Sequence, residues 1–472
     1  MNTKYILGST LAAGLLLSSC ELDYSATSAI AEETLTENDY QYLLVGVYNG
    51  AQQFSMGQLY YVDDIAADGL DDNNYFTDLN KVSYTASYSS FNGWWNALYK
   101  GIQLANNYVN LVEAKANKTE SDIETQAEAR VIRAWLYSKV TYFWGDAPIL
   151  LEVKNEKVPR NSEVEVWQQI IEDLEFGALN APGYNNPYHV SKVAAKALLL
   201  RALTIGPSAV QNKTRAAQLA EELITRGTFE LATNYADIWQ KKSNEVILAW
   251  NNINGDTAGI GWFLRSNQVT AYENLNGAGS AGVGETGRYQ FPVDKAQFDA
   301  YEDADQRKAG SVRYLKVGNA ETYDVVKYPS YDGADPFPVI RLGEVYLLEA
   351  EALGYPAGLD RLNELRAQRG LGAAVGVTAE NFLEKIIEER RLELLAEGSR
   401  WYDLRRLFNS NAYGKSVVLN KLRVLQPGEL AGSRPTASQS FNVSEDGHEL
   451  LWPIPQIAID NDPNLAPQNP GY

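Results

Sequence analysis

Apolar residues recur three and four positions apart through most of this chain, which is the spacing of one face of an α-helix. The stretch between Thr36 and Phe54 shows this spacing, and so do residues 92–114 and 121–143. Ser162 with Glu165 three residues later is a capping box that predicts the start of another helix. Further helices are predicted at residues 191–204, 213–225, 339–353, 359–368, 379–397 and 400–407.

Consecutive helices separated by short breaks predict antiparallel pairs that stack into a solenoid-like scaffold. The chain has no clean repeat period, and it does not match the tetratricopeptide consensus residue by residue. The pattern alone therefore predicts a mostly α fold built from helical hairpins.

Two stretches, residues 57–91 and 251–290, interrupt the helical spacing. The first is polar and aromatic, and the second is rich in glycine. Loops of this length are usually functional or disordered, and their aromatic residues argue against disorder. The tail, residues 451–472, contains five prolines, so we expect it to be extended and packed over a surface.

The charge and the composition exclude several functions. The chain has 472 residues and a net charge of −19, which disfavours nucleic acid and polybasic membrane binding. One cysteine and two histidines provide few ligands for a zinc site and few groups for Ser-His-Asp or Cys-His catalysis. With 29 tyrosines and 10 tryptophans, the composition favours a protein that binds neutral ligands.

The N-terminus carries a targeting signal. Lys4 precedes an apolar run from Ile6 to Leu17, which is too short to span a bilayer and is typical of a secretory signal. The following Leu17-Ser18-Ser19-Cys20 resembles a bacterial lipobox, in which the cysteine is lipidated. The alternative is an ordinary signal peptide with a coincidental cysteine. We expect acyl chains on Cys20 to anchor a chain that has no later segment of transmembrane length.

Several motifs in order resemble the SusD/RagB family of outer-membrane lipoproteins. The most specific is ERRLELLAEGSRWYDLRR at residues 389–406, and WPIPQ with NLAPQNPGY closes the chain. Further agreement lies in EARVIRAW, FWGDAP, AAKALL and RLGEVYLL, which begin at residues 128, 143, 194 and 341.

The resemblance implies a mostly α, tetratricopeptide-like helix-pair scaffold with an irregular second part. It also implies a lipid anchor at the surface of the outer membrane, a TonB-dependent SusC-like transporter as partner, and no enzymatic activity or cofactor. Ligands in the family are usually oligo- or polysaccharides, and some members handle peptides. The expected organisation is a signal peptide (1–19), a lipidated tether (20–38), an N-terminal helical region (39–230), a loop-rich ligand region (231–335) and a C-terminal region with the extended tail (336–472).

Three other features have a simpler interpretation than a functional one. Glu389, Arg390, Glu393, Glu397 and Arg400 are three or four apart, which predicts salt-bridged rows on a helix with a solvated or structural role. Two overlapping G-x-G-x-x-G matches between residues 277 and 287 follow no predicted strand, so they indicate a glycine-rich loop. Trp135, Trp401 and one of Trp94 and Trp95 are predicted to lie in the core.

The aspartates of the first irregular stretch could suggest a glycosidase pair or a calcium site. These are Asp63, Asp64, Asp71 and Asp72. A catalytic pair needs one carboxyl in a dry pocket, and a polar loop gives no sign of desolvation. Calcium remains open, although the spacing is not that of an EF-hand loop.

We place the ligand site on the two irregular stretches. A sugar ring needs a flat aromatic surface and a few polar groups that fix its orientation. The predicted aromatic surface consists of Tyr75, Phe76, Trp262, Phe263 and Tyr272, and the predicted hydrogen-bonding groups are Asp72, Asn73, Asn74, Arg265 and Asn274. Each ring could instead only fix its own loop to the scaffold. The leading hypothesis is glycan capture for a transporter, and the alternatives are peptide capture on the same scaffold and glycosidase activity.

Overall fold

A computed structural model describes residues 35–72, 75–152, 157–252, 263–264, 291–317, 320–330, 335–410, 413–423 and 443–472. Its first part is a row of helices. The eight helices of this part are α1 (Glu37–Gln52), α2 (Phe54–Ala66), α3 (Thr77–Asn80), α4 (Ser89–Ala114), α5 (Glu120–Trp144), α6 (Glu163–Asn180), α7 (Lys192–Ile205) and α8 (Lys213–Thr225). In this row, α1 packs against α4, and each helix from α4 to α8 packs against the next.

The row continues into the C-terminal half, because α8 packs against the helix at Leu342–Leu353. Short helices and strands lie between the two halves and precede the helices of the C-terminal half. In chain order these helices are α9 (Ala236–Trp239), α10 (Lys295–Asp299), α11 (Gln306–Ser311), α12 (Leu342–Leu353), α13 (Ala357–Gln368), α14 (Phe382–Glu393), α15 (Arg400–Leu407), α16 (Gly414–Arg423) and α17 (Gln456–Asn461), with 3₁₀ turns at His448–Leu450 and Pro463–Leu465.

The predicted mostly α fold of stacked helix pairs is confirmed. The Ser162 hydroxyl accepts from the N–H of Glu165, and the Glu165 carboxylate accepts from the N–H of Ser162, which is the predicted capping box. Gly177 lets α6 approach α5 closely, since a Cβ at that position would lie 2.2 Å from Val131 Cγ2. Helices α1 and α4–α8 therefore match the sequence prediction to within a few residues, whereas α2 lies largely in a stretch that was predicted to be irregular.

Four short strands form two antiparallel pairs that the sequence analysis did not predict. The strands are β1 (Val246–Trp250), β2 (Val312–Val317), β3 (Ala320–Val325) and β4 (Phe337–Arg341). β1 pairs with β4, and β2 pairs with β3 in a hairpin. The helix predicted at residues 339–353 therefore begins only at Leu342, because its first residues belong to β4.

The proline-rich tail is integrated into the core. Trp452 is fully buried and stacks on Phe143 with 4.2 Å between ring centroids. Its N–H donates to the carbonyl of Phe143, and Asn469 donates to the carbonyls of Trp144 and Trp452. All four tryptophans discussed as core residues, Trp94, Trp95, Trp135 and Trp401, are buried.

The charged motif near residue 390 is not a set of salt-bridged rows along one helix, and this corrects the sequence prediction. Glu389, Arg390, Glu393 and Arg400 are all buried, and their partners lie on other elements. Arg390 Nε donates to Asp403 at 2.7 Å, and Arg400 forms a two-pronged pair with Asp68 on the segment after α2. The motif ties α14 to α15, and it ties α15 to the segment that follows α2. Its helix is also shorter than predicted, since α14 ends at Glu393.

Candidate functional site

The structure brings the two irregular stretches of the sequence together. Leu70 forms an isolated antiparallel bridge with Val293. Next to it, the N–H of Asp71 donates to the carbonyl of Pro292 at 2.8 Å, and the N–H of Asp294 donates to the carbonyl of Gly69 at 3.1 Å. Residues 292–294, just after the glycine-rich stretch, are thus held against the loop that follows α2.

The rings of Phe76 and Phe263 lie inside an aromatic cluster, and this corrects their predicted role as a ligand surface. Each has 3% of its surface exposed. Phe76 stacks on Phe291 with 5.6 Å between centroids, and Phe263 lies 5.8 Å from Tyr61 on α2. A sugar stacks on an exposed ring face, so these two rings support the site and do not form its surface.

Tyr75 is the ring of this cluster that faces solvent, with 46% of its surface exposed. It packs edge-on against Phe76 at 4.7 Å and against Phe291 at 6.0 Å, and Phe263 lies at 6.2 Å. Three aromatic neighbours therefore hold a half-exposed tyrosine at the junction of the two stretches. A ring fixed in this way loses little conformational freedom when a ligand stacks on it.

Asp72 fixes the backbone under Tyr75. Both of its carboxylate oxygens accept from the N–H of Tyr75 at 2.9 Å, and the second also accepts from the Thr77 hydroxyl at 3.2 Å. Burial raises the pKa of Asp72 against the lowering effect of these donors. Asp72 is buried, so it positions the predicted site and does not offer its oxygens to a ligand as the sequence analysis proposed.

The other predicted residues lie outside the described part of the chain. They are Cys20, Asn73, Asn74, Trp262, Arg265, Tyr272 and Asn274, together with the glycine motifs between residues 277 and 287. Their assigned roles stay predictions.

The aspartates of the first irregular stretch are buried, some on helix α2 and some just after it. This corrects the expectation of a solvated polar loop. Asp63 accepts from the N–H of Trp401 at 3.0 Å, and Asp64 accepts from the N–H of Ala396 at 2.8 Å. Burial raises the pKa of Asp63 to about 7, and burial together with the neighbouring Asp63 raises the pKa of Asp64 well above its ordinary value. These carboxyls hold the segment between α14 and α15.

A calcium ion bound by these aspartates would compete with hydrogen-bond donors of the protein for the same carboxylate oxygens. The Asp68 oxygens lie 2.6 and 2.8 Å from Arg400 nitrogens, and this pairing overcomes the effect of burial and holds the pKa of Asp68 well below its ordinary range. Asp71 accepts from the N–H of Asp72 and from the Asn80 side chain. Calcium binding by these residues stays a prediction.

A different group in the described residues has the composition of a metal site. Asp446, His448 and Glu449 each offer a ligand atom within 4.8 Å of the others. His448 already uses both ring nitrogens, with Nδ1 2.8 Å from Asp446 and Nε2 3.3 Å from Glu449. An ion would have to displace these contacts, which already join His448 to Asp446 and Glu449 just before the tail.

Two residues of the site were missed by the sequence analysis. Tyr61 and Phe291 form the inner wall of the aromatic cluster, with 4.8 Å between their centroids. Tyr61 and Ile65 are four residues apart, the spacing of one helix face, a signal that the intervening Asp63 and Asp64 obscured. Phe291 directly follows the glycine-rich stretch and precedes Pro292.

The arrangement can bind a flat, partly apolar molecule by stacking on Tyr75. Its buried carboxyls are engaged in holding the backbone. In the described ranges, no helix is both long and apolar enough to cross a membrane.

Comparisons with known proteins agree on one family. Residues 230–472 match the family described as "SusD family", and residues 22–203 match the one described as "Starch-binding associating with outer membrane". A SusD-like protein of Bacteroides ovatus is 26% identical over 374 residues, which cover 68% of this chain and 66% of that protein.

Solved structures of low sequence identity share the fold. Surface glycan-binding protein A from Bacteroides uniformis superposes with a TM-score of 0.75 at 20% identity, covering 92% of this chain and 99% of that one. A structure solved with a xylogluco-oligosaccharide has a TM-score of 0.73 at 20% identity, covering 90% of this chain and 97% of the other.

Proposed function

The chain belongs to the SusD family, and on that premise we propose that it captures oligo- or polysaccharide at the cell surface and delivers it to a TonB-dependent transporter in the outer membrane. The observation that carries the proposal is Tyr75, a half-exposed ring at the junction of the two irregular stretches. Names of relatives support the ligand class, since one similar protein is called a surface glycan-binding protein and another was solved with a xylogluco-oligosaccharide.

Capture needs no chemistry in this proposal. A sugar ring lays its C–H face on Tyr75, and polar groups around it select the hydroxyl pattern. Stacking removes apolar surface of both partners from water, which contributes about 25 cal/mol per Å² before the costs of binding. Affinity then accumulates over several sugar units, and each unit releases readily, which suits a protein that must pass its ligand on.

The anchor and the partner complete the proposal. Lipidation at Cys20 would hold the folded part at the membrane through the tether that precedes α1. The transporter lies beneath it and receives the ligand when the two proteins separate. Copurification of the lipidated protein with a TonB-dependent transporter from its own membrane tests this part, and a protein that purifies alone under mild detergent would contradict it.

The ligand class is tested by affinity electrophoresis through gels that contain polysaccharides. The wild type should be retarded by at least one polysaccharide, and Tyr75→Ala should lose most of that retardation. Tyr75→Phe keeps the ring and should bind. Tyr42→Ala is the matched control, because Tyr42 is an exposed tyrosine on α1, on an element outside the aromatic cluster.

Two further results would overturn the assignment. Binding of a peptide pool, with no retardation by any polysaccharide, would move the protein to the peptide-capturing members of the family. Release of shorter products from labelled oligosaccharides would show an enzyme.

A further inference from the structure

A second cleft lies away from Tyr75, beside the β1–β4 pair. It has a volume of about 240 Å³, and none of its lining residues belongs to the aromatic cluster. Its apolar walls come from Trp239, Ile238, Tyr188 and Pro336. Clefts for drug-sized ligands measure roughly 300–1,000 Å³, so this one suits a single small unit and not a long chain.

The floor of the cleft is rigid. Trp239 belongs to a small apolar cluster of its own with Tyr235 and Ile238. The ammonium of Lys327 lies 4.8 Å from the Trp239 ring centroid and is neutralised by Glu397 at 2.7 Å. The buried cation is therefore satisfied within the protein. Asp335 also lines the cleft, and its carboxylate accepts from the N–H and the hydroxyl of Ser330.

The rim of the cleft is polar and carries a cation. Ser243 and Asn244 can exchange hydrogen bonds with hydroxyl groups. Lys241 is exposed, and across the described ranges its ammonium has no hydrogen-bond or ion-pair partner. The neighbouring Lys242, by contrast, donates to Gln240 at 2.7 Å.

Lys241 also has an unfavourable backbone conformation. Its φ of +59° lies in the left-handed region, which a lysine rarely adopts. Such strain persists where the surroundings or a function require the residue to point in one direction. At this position it places a lysine on the edge of an apolar cleft.

We propose that this cleft is a second, smaller binding site, which takes one sugar unit that carries a carboxylate. The apolar walls accept the C–H face of the ring, Ser243 and Asn244 contact its hydroxyls, and Lys241 pairs with the carboxylate. The inference rests on the proposed glycan capture for its ligand class. It adds that the protein recognises an acidic unit separately from the chain that stacks on Tyr75.

The test is an NMR titration of the purified full-length protein with galacturonic acid and, separately, with galactose. Galacturonic acid should bind more tightly than galactose. Lys241→Gly relieves the strained backbone, so it should melt no lower than the wild type. It should weaken galacturonic acid binding about tenfold, the loss expected for one charge-assisted hydrogen bond, and leave galactose binding unchanged.

Three variants make the outcome decisive. Ser243→Trp fills the cleft and should abolish binding of both sugars. Lys242→Gln, the matched control, should bind as the wild type does. Tyr75→Ala should lose polysaccharide binding and keep galacturonic acid binding, which separates the two sites.

Failure of this inference is distinguishable from failure of the proposed function. If galacturonic acid does not bind, or if Ser243→Trp leaves its binding intact, the cleft is not the site, even where polysaccharide retardation persists. A short peptide that binds in the cleft in place of galacturonic acid would overturn the sugar assignment.

Discussion

Replacing Glu393 with glutamine should destabilise the protein strongly. The Glu393 side chain is fully buried at the end of α14 and contacts Arg307, Arg341 and Arg369. Its Oε1 lies 2.7 Å from Arg369 Nη2, and its Oε2 lies 3.1 Å from Arg307 Nη1. Glutamine keeps the shape and removes the charge, so three guanidinium groups lose a shared counter-ion.

The magnitude follows from the burial of all four groups. Removing one partner of a buried ion pair costs about 3–5 kcal/mol. Unfolding entropy is about 2.1 cal/mol/K per residue, or roughly 1 kcal/mol/K for this chain, so we expect the Tm to fall by about 3–5 °C. Calorimetry and urea unfolding at pH 7 measure the change. The matched control is Glu364→Gln, whose exposed pair with Arg361 should contribute less than about 1 kcal/mol.

The pH dependence provides an independent check. Burial would raise the pKa of Glu393, but Arg369, Arg341 and Arg307 outweigh it and hold the pKa well below 4.5. The contribution of Glu393 is therefore fully present above pH 4.5 and is lost as the pH falls through the folded-state pKa. The difference between wild type and Glu393→Gln should shrink in acid. A loss at pH 7 no larger than that of Glu364→Gln would refute the idea that this network clamps the fold.

Four further substitutions test other parts of the structure. Burial raises the pKa of Glu128 to about 7, so the free energy of unfolding should fall as the pH rises from 4.5 to 7. In urea unfolding between pH 5 and pH 8, Glu128→Gln should remove this fall, which amounts to up to about 3 kcal/mol. In the same assay, Gly177→Ala should lower the free energy of unfolding by about 1–3 kcal/mol, because the new Cβ overlaps Val131. Gly46→Ala is its control: no atom lies near that Cβ position, so the alanine should stabilise α1 by up to about 1 kcal/mol. Ser162→Ala should lower stability by about 1 kcal/mol through loss of the α6 capping box, and an unchanged urea midpoint would contradict that role.

The long helices could be predicted because their apolar spacing, caps and stops all agree. The strands could not, since runs such as Val246–Trp250 are short and apolar and look the same whether they form a buried strand or a buried helix. At β4, the apolar residues run directly into α12, and no turn residue marks the boundary at Arg341.

The charged residues misled the sequence analysis because spacing does not show burial. Glu389, Arg390 and Glu393 have the spacing of a solvated helical face, yet each is buried against a partner distant in the sequence. Asp63 and Asp64 appeared to mark a polar loop, although they lie on α2 and accept from the N–H groups of residues near 400. Pairings of this kind depend on tertiary contacts that one sequence does not contain.

The structure brings described parts of the two stretches together, and their assignment as the ligand site stays a prediction. The two irregular stretches do meet, since Phe263 of the second lies 6.2 Å from Tyr75 of the first. Within them, sequence could not separate the exposed Tyr75 from the buried Phe76, because adjacent residues of a loop have no periodicity that assigns one of them to the core.

The most direct test of glycan capture is a crystal structure with an oligosaccharide chosen from those that retard the protein in gels. We expect a sugar ring to lie flat on Tyr75, with its carbons about 3.5–4.0 Å from the ring. An oligosaccharide bound elsewhere, with Tyr75 still open to solvent, would contradict the account.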